Sequence, residues 1–289
     1  MHVVTLIAPP AKGLTEARVR RMAAALGAEG WRWLAVEEAA DLGLERPPSA
    51  EALAQALAGD AMDAVSQPLA GRAKKLLLAD MDSTLVTTET LDELAAEAGR
   101  KAEIAAITER SMAGTMDFAQ ALRLRVAMLA GLEEAALART WAATRLMPGA
   151  QALFAGMRAQ GGVCAIVSGG FTWFTERLAA RLGAAAQFGN RLEIVDGRLS
   201  GRVAEPIFDA EGKRRALLDL ASRLGLGADA TMAVGDGAND LAMLAAAGMG
   251  VAFRAKPVAA AAARARIDHG DLRALLFIQG LTAPRDARN

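Results

Sequence analysis

Cysteine and histidine are nearly missing from this 289-residue chain, which has one cysteine, Cys164, and two histidines, His2 and His269. One thiol cannot build a disulfide framework or a cysteine-rich metal site. Cys164 sits in the apolar run Val163-Cys164-Ala165-Ile166-Val167, where it reads as a small buried hydrophobe rather than a reactive thiol. With so little histidine, acid–base chemistry falls to carboxylates. An excess of either charge is also absent, since Lys plus Arg and Asp plus Glu each total 33. No global field then recruits nucleic acid or an anionic membrane, and any anion must be held by local geometry. No apolar run is long enough to span a bilayer, and the N-terminus lacks a basic stretch, apolar core and cleavage site. The expected address is the cytoplasm, with neither membrane nor nucleic acid as a partner. What is abundant is apolar side chain, enough for a well-buried core.

The first segment alternates short elements: a strand at Val3 to Ala8, a helix from Thr15 to Leu26, a strand at Trp31 to Val36, a helix from Ser49 to Ala58 and a strand at Met62 to Val65. Gln67-Pro68-Leu69-Ala70-Gly71 reads as a linker, which places a boundary near residue 72. Beyond it, the runs Leu76 to Ala79, Val163 to Val167, Thr231 to Val234 and Gly248 to Phe253 each end in polar or glycine-rich residues. Such runs suit parallel strands covered on both faces, where chemistry gathers at the carboxyl ends. From Thr88 to Leu146 the spacing is helical, closed by Met147-Pro148-Gly149. An insertion right after the first strand's loop is placed to cap a site, though helices that simply pack on the sheet would show the same pattern. Arg191 to Val203 reads as a β-hairpin turning at Asp196-Gly197.

The strongest chemical signal is Asp80-Met81-Asp82-Ser83-Thr84 directly after a strand. Two carboxylates two positions apart can point to one side while hydroxyls and turn amides face an anion. The same residues would also serve as an Asp-rich turn capping a helix. Ser168-Gly169-Gly170 follows the second strand, with a helical pattern resuming at Phe171, so its amides read as an anion site at a helix N-terminus or as an ordinary turn. Gly212-Lys213 opens a helix running to Leu224, a place where a lone lysine is usually solvated. Gly235-Asp236-Gly237-Ala238-Asn239-Asp240 follows a third strand and offers oxygen ligands suited to Mg²⁺ on a backbone able to approach closely.

In this order, Asp-x-Asp, Ser-Gly, Lys and Gly-Asp-Gly-x-Asn-Asp resemble the haloacid dehalogenase (HAD) superfamily of phosphotransferases. Asp80 to Leu85, Glu89, Arg125 to Leu129 and Gly235 to Asp240 resemble, more narrowly, its phosphoserine phosphatases, over roughly residues 74 to 275. The resemblance implies an α/β fold: a HAD-like Rossmannoid parallel sheet with a helical cap at about 88–147, forming a phosphatase domain at 73–289. A small, degenerate ACT-like α+β domain at 1–72 precedes it, with fewer elements than a full βαββαβ pattern. That segment is read as amino-acid-binding or as a packing or dimerisation module, which leaves a homodimer open.

By the same resemblance Asp80 is the nucleophile and Asp82 the general acid and base. Ser168, Gly169 and Lys213 hold phosphate, with Asn239 nearby, and Glu89 and Arg125 hold the substrate's ammonium and carboxylate. Asp80, Asp82 through its carbonyl, and Asp236 bind Mg²⁺. The implied reaction is hydrolysis of O-phosphoserine through an aspartyl-phosphate, the last step of serine biosynthesis. The rival reading keeps the site and changes the substrate to another small phosphomonoester, such as phosphohomoserine, or the acceptor to one other than water.

Overall fold

Strand β1 (His2–Ile7) opens a four-stranded antiparallel sheet whose elements are α1 (Glu16–Leu26), β2 (Gly30–Ala35), β3 (Ala39–Leu44), α2 (Ala50–Leu57) and β4 (Asp63–Pro68). The strand order is β2-β3-β1-β4. The computed structural model describes residues 1–10, 13–57, 59–112 and 115–282. Ala58, where the sequence reading ends α2, and the last seven residues of the expected phosphatase domain lie outside them. Thr15 caps α1 by accepting from the Arg18 amide at 3.3 Å, and Gly27 ends it in the left-handed conformation. Val19 and Met22 on its inner face pack with Val4, Leu6 and Leu42 of the sheet. The pattern is a complete βαββαβ, which corrects the expectation of fewer elements and is consistent with an ACT-like domain. Strand β3 is the one missed: Asp41 and Gly43 break its apolar run, and Asp41 is nonetheless buried. Likewise Gln67 and Pro68 belong to β4 rather than to a linker.

The second sheet is parallel, in the order β12-β11-β10-β5-β6-β7. Its strands are β5 (Leu76–Asp80), β6 (Val163–Phe171), β7 (Ala186–Asn190), β10 (Thr231–Gly235), β11 (Met249–Phe253) and β12 (Ala265–Ile267), and β8 (Leu192–Val195) with β9 (Arg198–Val203) forms the expected hairpin. Helices α7 (Ala150–Ala159), α8 (Thr172–Leu182), α9 (Ala210–Arg223), α10 (Leu241–Ala246), α11 (Pro257–Ala262) and α12 (Ala274–Phe277) belong to this unit. Between β5 and β6 four helices form the inserted cap: α3 (Thr90–Glu97), α4 (Lys101–Met112), α5 (Phe118–Ala127) and α6 (Ala135–Ala143). The chain enters and leaves the cap side by side, with the Thr87 amide donating to the Arg145 carbonyl and the Met147 amide to the Leu85 carbonyl. No helix among the described residues is long and apolar enough to cross a membrane.

The two sheets share an apolar cluster, since Ile7, Leu34, Ala39 and Val65 pack with the larger core. Polar groups lock the junction. Asp63 accepts from the amides of Asp268, His269 and Gly270 at 2.8, 3.1 and 2.7 Å. Arg273 bonds Asp271 and reaches Glu38 across the junction, while Arg72, at the boundary itself, holds Asp41 of the small sheet with two bonds of 3.0 and 2.6 Å. Removing one member of such a buried pair leaves an uncompensated charge, so the junction resists separation.

Cys164 is buried, and burial pushes its thiol up to about 12. A thiol reagent at pH 8 is therefore expected to label the folded protein only at the rate of opening, with the label appearing through the denaturant transition. Rapid labelling without denaturant would contradict this placement.

Candidate active site

The register of the parallel sheet brings the chemistry to one end. Asp80 ends β5 level with Val167 of β6, and Ala79 is level with Val234 of β10. Ser168 and Asp236 therefore lie one step past their neighbours, on either side of Asp80, at the carboxyl edge where a doubly wound sheet binds ligands. Lys213 comes from the first turn of α9. Ala216, Leu217 and Ala221 of that helix pack on Leu76, Leu78, Ala165 and Val167, and residues three and four apart share a face, so Lys213 points into the same edge. It is wholly buried rather than solvated, and its ammonium donates to Asp80 Oδ1 and Asp240 Oδ1, both at 2.7 Å.

Asp240 was missed as a site residue, although it lies in the quoted motif four residues after Asp236. Its Oδ2 accepts from the amides of Asp236 and Gly237 at 3.1 and 3.0 Å, so it shapes the loop as well as holding Lys213. Gly235 makes room for it: a Cβ there would lie 2.3 Å from the Asp240 carboxyl carbon. Met81 turns into the core, as its apolar character implies. Ser168 lies at this edge too, but on strand rather than at a helix start, because β6 runs on through Gly169 and Gly170 to Phe171. Gly169 lies beneath the Phe118 ring of the cap, where a Cβ would come within 3.1 Å. Half-buried Asn239 sits on the turn after Asp236, with its Oδ1 folded toward Gly237.

The Asp82 carboxylate faces the cap and β6, accepting from the Thr90 amide at 2.9 Å and the Ser168 hydroxyl at 3.3 Å. Burial first, and then the charge of Glu89, push its pKa up to about 7. Asp80 is raised well above the ordinary carboxylate range by burial and then by Asp240, with Lys213 opposing. Asp236 rises to about 6 for the same two reasons, burial and Asp240. Burial works against the charge of Lys213, but Asp240 and Asp80 outweigh it and hold the ammonium above its ordinary value.

Two expected substrate residues come from the cap. Ser83, in the left-handed conformation, donates to Glu89 Oε1 at 2.7 Å. Arg125 is half-buried on α5, donating to the Ala121 carbonyl and to the Thr108 hydroxyl, each at 3.3 Å. Burial lowers its pKa from the usual value, with Asp92 and Glu89 opposing, so the guanidinium and the Glu89 carboxylate lie within reach of each other's field. Arg123, two residues away, points elsewhere and is spent on a surface pair with Glu205.

One carboxylate oxygen from each of Asp80, Asp236 and Asp240 lies within 4.8 Å of the others, and the three residues are buried. Lys213 supplies one positive charge to this group, and Lys256 approaches Asp236 only at 3.9 Å. Hard oxygen donors carrying excess buried negative charge fit a metal cation, so the cluster is able to bind one. The side chain of Asp82 stands outside that group.

The fold and site define a class. The chain belongs to the haloacid dehalogenase-like hydrolases, whose family model matches residues 77–245. Among its relatives, phosphoserine phosphatase SerB2 of Mycobacterium tuberculosis is 48% identical over 214 residues, covering 74% of this chain and 52% of that one. The phosphoserine phosphatase of Idiomarina loihiensis is 43% identical over 70% of this chain and 91% of its own. A solved structure described as a probable phosphoserine phosphatase from Vibrio cholerae superposes with a TM-score of 0.82 at 33% identity, covering 96% of this chain and 86% of that one. The chain spans between half and three-fifths of the length of several relatives it matches.

Raised carboxyl pKa values bear on stability. Such a group stabilises the fold fully below its unfolded value near ~4, and that contribution is lost as pH rises through its folded value. With chelator present, Tm is therefore expected to fall as pH rises from 5 to 8, through the values of Asp236, about 6, and Asp82, about 7. Added divalent cation should raise Tm more at pH 8 than at pH 5, because binding competes with protons. A metal-induced shift that does not depend on pH would contradict the assignment of the cluster.

Proposed function

We propose that the protein is a Mg²⁺-dependent phosphoserine phosphatase that hydrolyses O-phospho-L-serine to serine and phosphate in the cytoplasm. The observation that carries this reading is the pairing of one anion and one cation, Glu89 and Arg125, on the cap over a buried Asp80–Lys213 pair. A zwitterionic amino acid calls for both charges, and a sugar phosphate for neither. The phosphoserine phosphatases among the relatives support the same substrate. The division into a small domain at 1–72 and a phosphatase domain at 73–289 belongs to the same proposal.

Asp80 attacks phosphorus: its oxygen–phosphorus bond forms as the bond to the serine oxygen breaks, giving an aspartyl-phosphate. Asp82, with its pKa near 7, passes its proton to the departing serine oxygen. It then takes a proton from the water that attacks phosphorus and releases Asp80. A pKa close to ambient pH suits a group that must be acid first and base second. Ser168, Gly169 and Lys213 hold the phosphate, with Asn239 beside them. Asp80, Asp236 and the Asp82 carbonyl would hold Mg²⁺, with Asp240 close by, and the ion supplies charge neutralisation of the phosphate dianion.

Arg125 tests the substrate assignment. An arginine can grip a carboxylate with two parallel bonds, and losing that grip is expected to cost about 2–5 kcal/mol in kcat/KM for phosphoserine. An aryl phosphate lacks the carboxylate, so Arg125→Ala should leave it nearly unaffected. Arg123→Ala, which breaks only a surface pair, should alter neither substrate strongly. Equal losses on both substrates in Arg125→Ala, or a phosphoserine-specific loss in Arg123→Ala alone, would contradict the assignment.

A further inference from the structure

Asp82 is held from two sides, and the two holders belong to different parts of the fold. Its Oδ2 accepts from Ser168 on the sheet, whereas its Oδ1 accepts from the amide of Thr90, the first residue of the first cap helix. Thr90 is almost fully buried, at 1% exposure, and its hydroxyl, although it makes no hydrogen bond of good geometry, lies close enough to the Asp82 carboxyl to favour its charged form. A buried hydroxyl without a partner carries a desolvation cost, so it calls for a use. Gly170 shows where that hydroxyl sits. A Cβ on Gly170 would lie 3.0 Å from Asp82 Oδ2, 3.1 Å from Ser168 Oγ and 3.5 Å from Thr90 Oγ1. Three side-chain oxygens therefore converge over one bare backbone position, and of these only the Ser168 hydroxyl and Asp82 are joined by a hydrogen bond of good geometry.

We propose that Thr90 is a positioning residue for Asp82: its amide fixes Oδ1, and its hydroxyl turns to donate to the carboxylate formed as the proton leaves Oδ2. The inference rests on the role of Asp82 proposed above. The balance is simple. Asp82 loses its proton to the leaving oxygen as the phosphorus–oxygen bond breaks, while Thr90 keeps its own proton and only redirects it. Because Thr90 sits in the cap and Ser168 on the sheet, Asp82 is correctly aimed only when the cap is seated on the sheet. Proton delivery thereby becomes conditional on the closed arrangement.

Leaving-group dependence separates this role from a structural one. An alkyl phosphate expels a poor leaving group that needs the proton, whereas 4-nitrophenyl phosphate expels a stable phenolate that does not. In Thr90→Val, kcat/KM for both phosphoserine and ethyl phosphate is expected to fall by about tenfold or more, within the range of general acid contributions. The aryl ester should stay within about twofold, because kcat/KM reports steps only through departure of the leaving group. Thr90→Ser, which restores the hydroxyl, should recover the alkyl esters, and Thr90→Ala serves if the valine variant does not fold. Equal losses on all three esters, no loss on any, or a loss confined to phosphoserine would overturn the proposal. The last result would place Thr90 with Arg125 in substrate recognition. Failure of the unsubstituted enzyme to prefer phosphoserine would instead refute the proposed substrate, and the ethyl-against-aryl comparison would still judge Thr90.

Discussion

A single ammonium, that of Lys213, lies between the carboxylates of Asp80 and Asp240 with almost no solvent on any of the three. Burying these charges is costly, and a lone carboxylate in such a place would take up a proton instead. Lys213 offsets part of that cost and keeps Asp80 aimed and available to ionise. Part of the negative charge remains once Asp236 is counted, which is why the same pocket suits a metal cation. The surrounding architecture follows from this demand. Three strand ends must meet at one edge, α9 must lay its small apolar face on the sheet, and Gly235 must yield space for Asp240.

Around that fixed centre the groups proposed to handle substrate and proton are shared between sheet and cap. Asp80 and Ser168 are anchored in the sheet and Lys213 on α9 packed against it, while Glu89, Thr90 and Arg125 belong to the cap or its entry. Asp82 joins the two. The Pro148–Gly149 exit from the cap packs against the segment around Asp271 to Arg273, where the Leu272 amide donates to the Pro148 carbonyl. That segment also meets Glu38 and follows the loop held by Asp63. The small N-terminal sheet thus braces the segment on which the cap exit rests, although none of the proposed catalytic groups lies on it.

Much of this was legible in the sequence because phosphoryl chemistry needs acidic, hydroxyl and glycine residues at strand ends, and buried strands are readable as apolar runs. Asp80, Asp82, Ser168 and Asp236 could be singled out in that way, whereas Lys213, on a helix, stood out only through the family resemblance. The misses have physical causes. Strand β3 hides because Asp41 is buried by pairing with Arg72, a contact 31 residues distant that no local pattern reveals. Strand β7 hides because Ala186 to Asn190 is short, half-buried and polar in part. Asp240 lay within the Gly235–Asp240 motif without a role of its own, since its bond to Lys213 appears only when α9 folds back onto the sheet. Thr90 was invisible because a threonine beginning a helix is ordinary, and only burial of an unpartnered hydroxyl beside Asp82 sets it apart.

The central claim is that the Asp80 carboxylate itself becomes phosphorylated. The most direct measurement is rapid mixing with phosphoserine labelled in its phosphate, followed by acid quench and peptide mapping. Label should appear on the chain within the first turnover, map to the peptide containing Asp80, and vanish in Asp80→Asn while that variant remains folded. Steady release of labelled phosphate with no label on the chain, or with label on a peptide lacking residue 80, would contradict it.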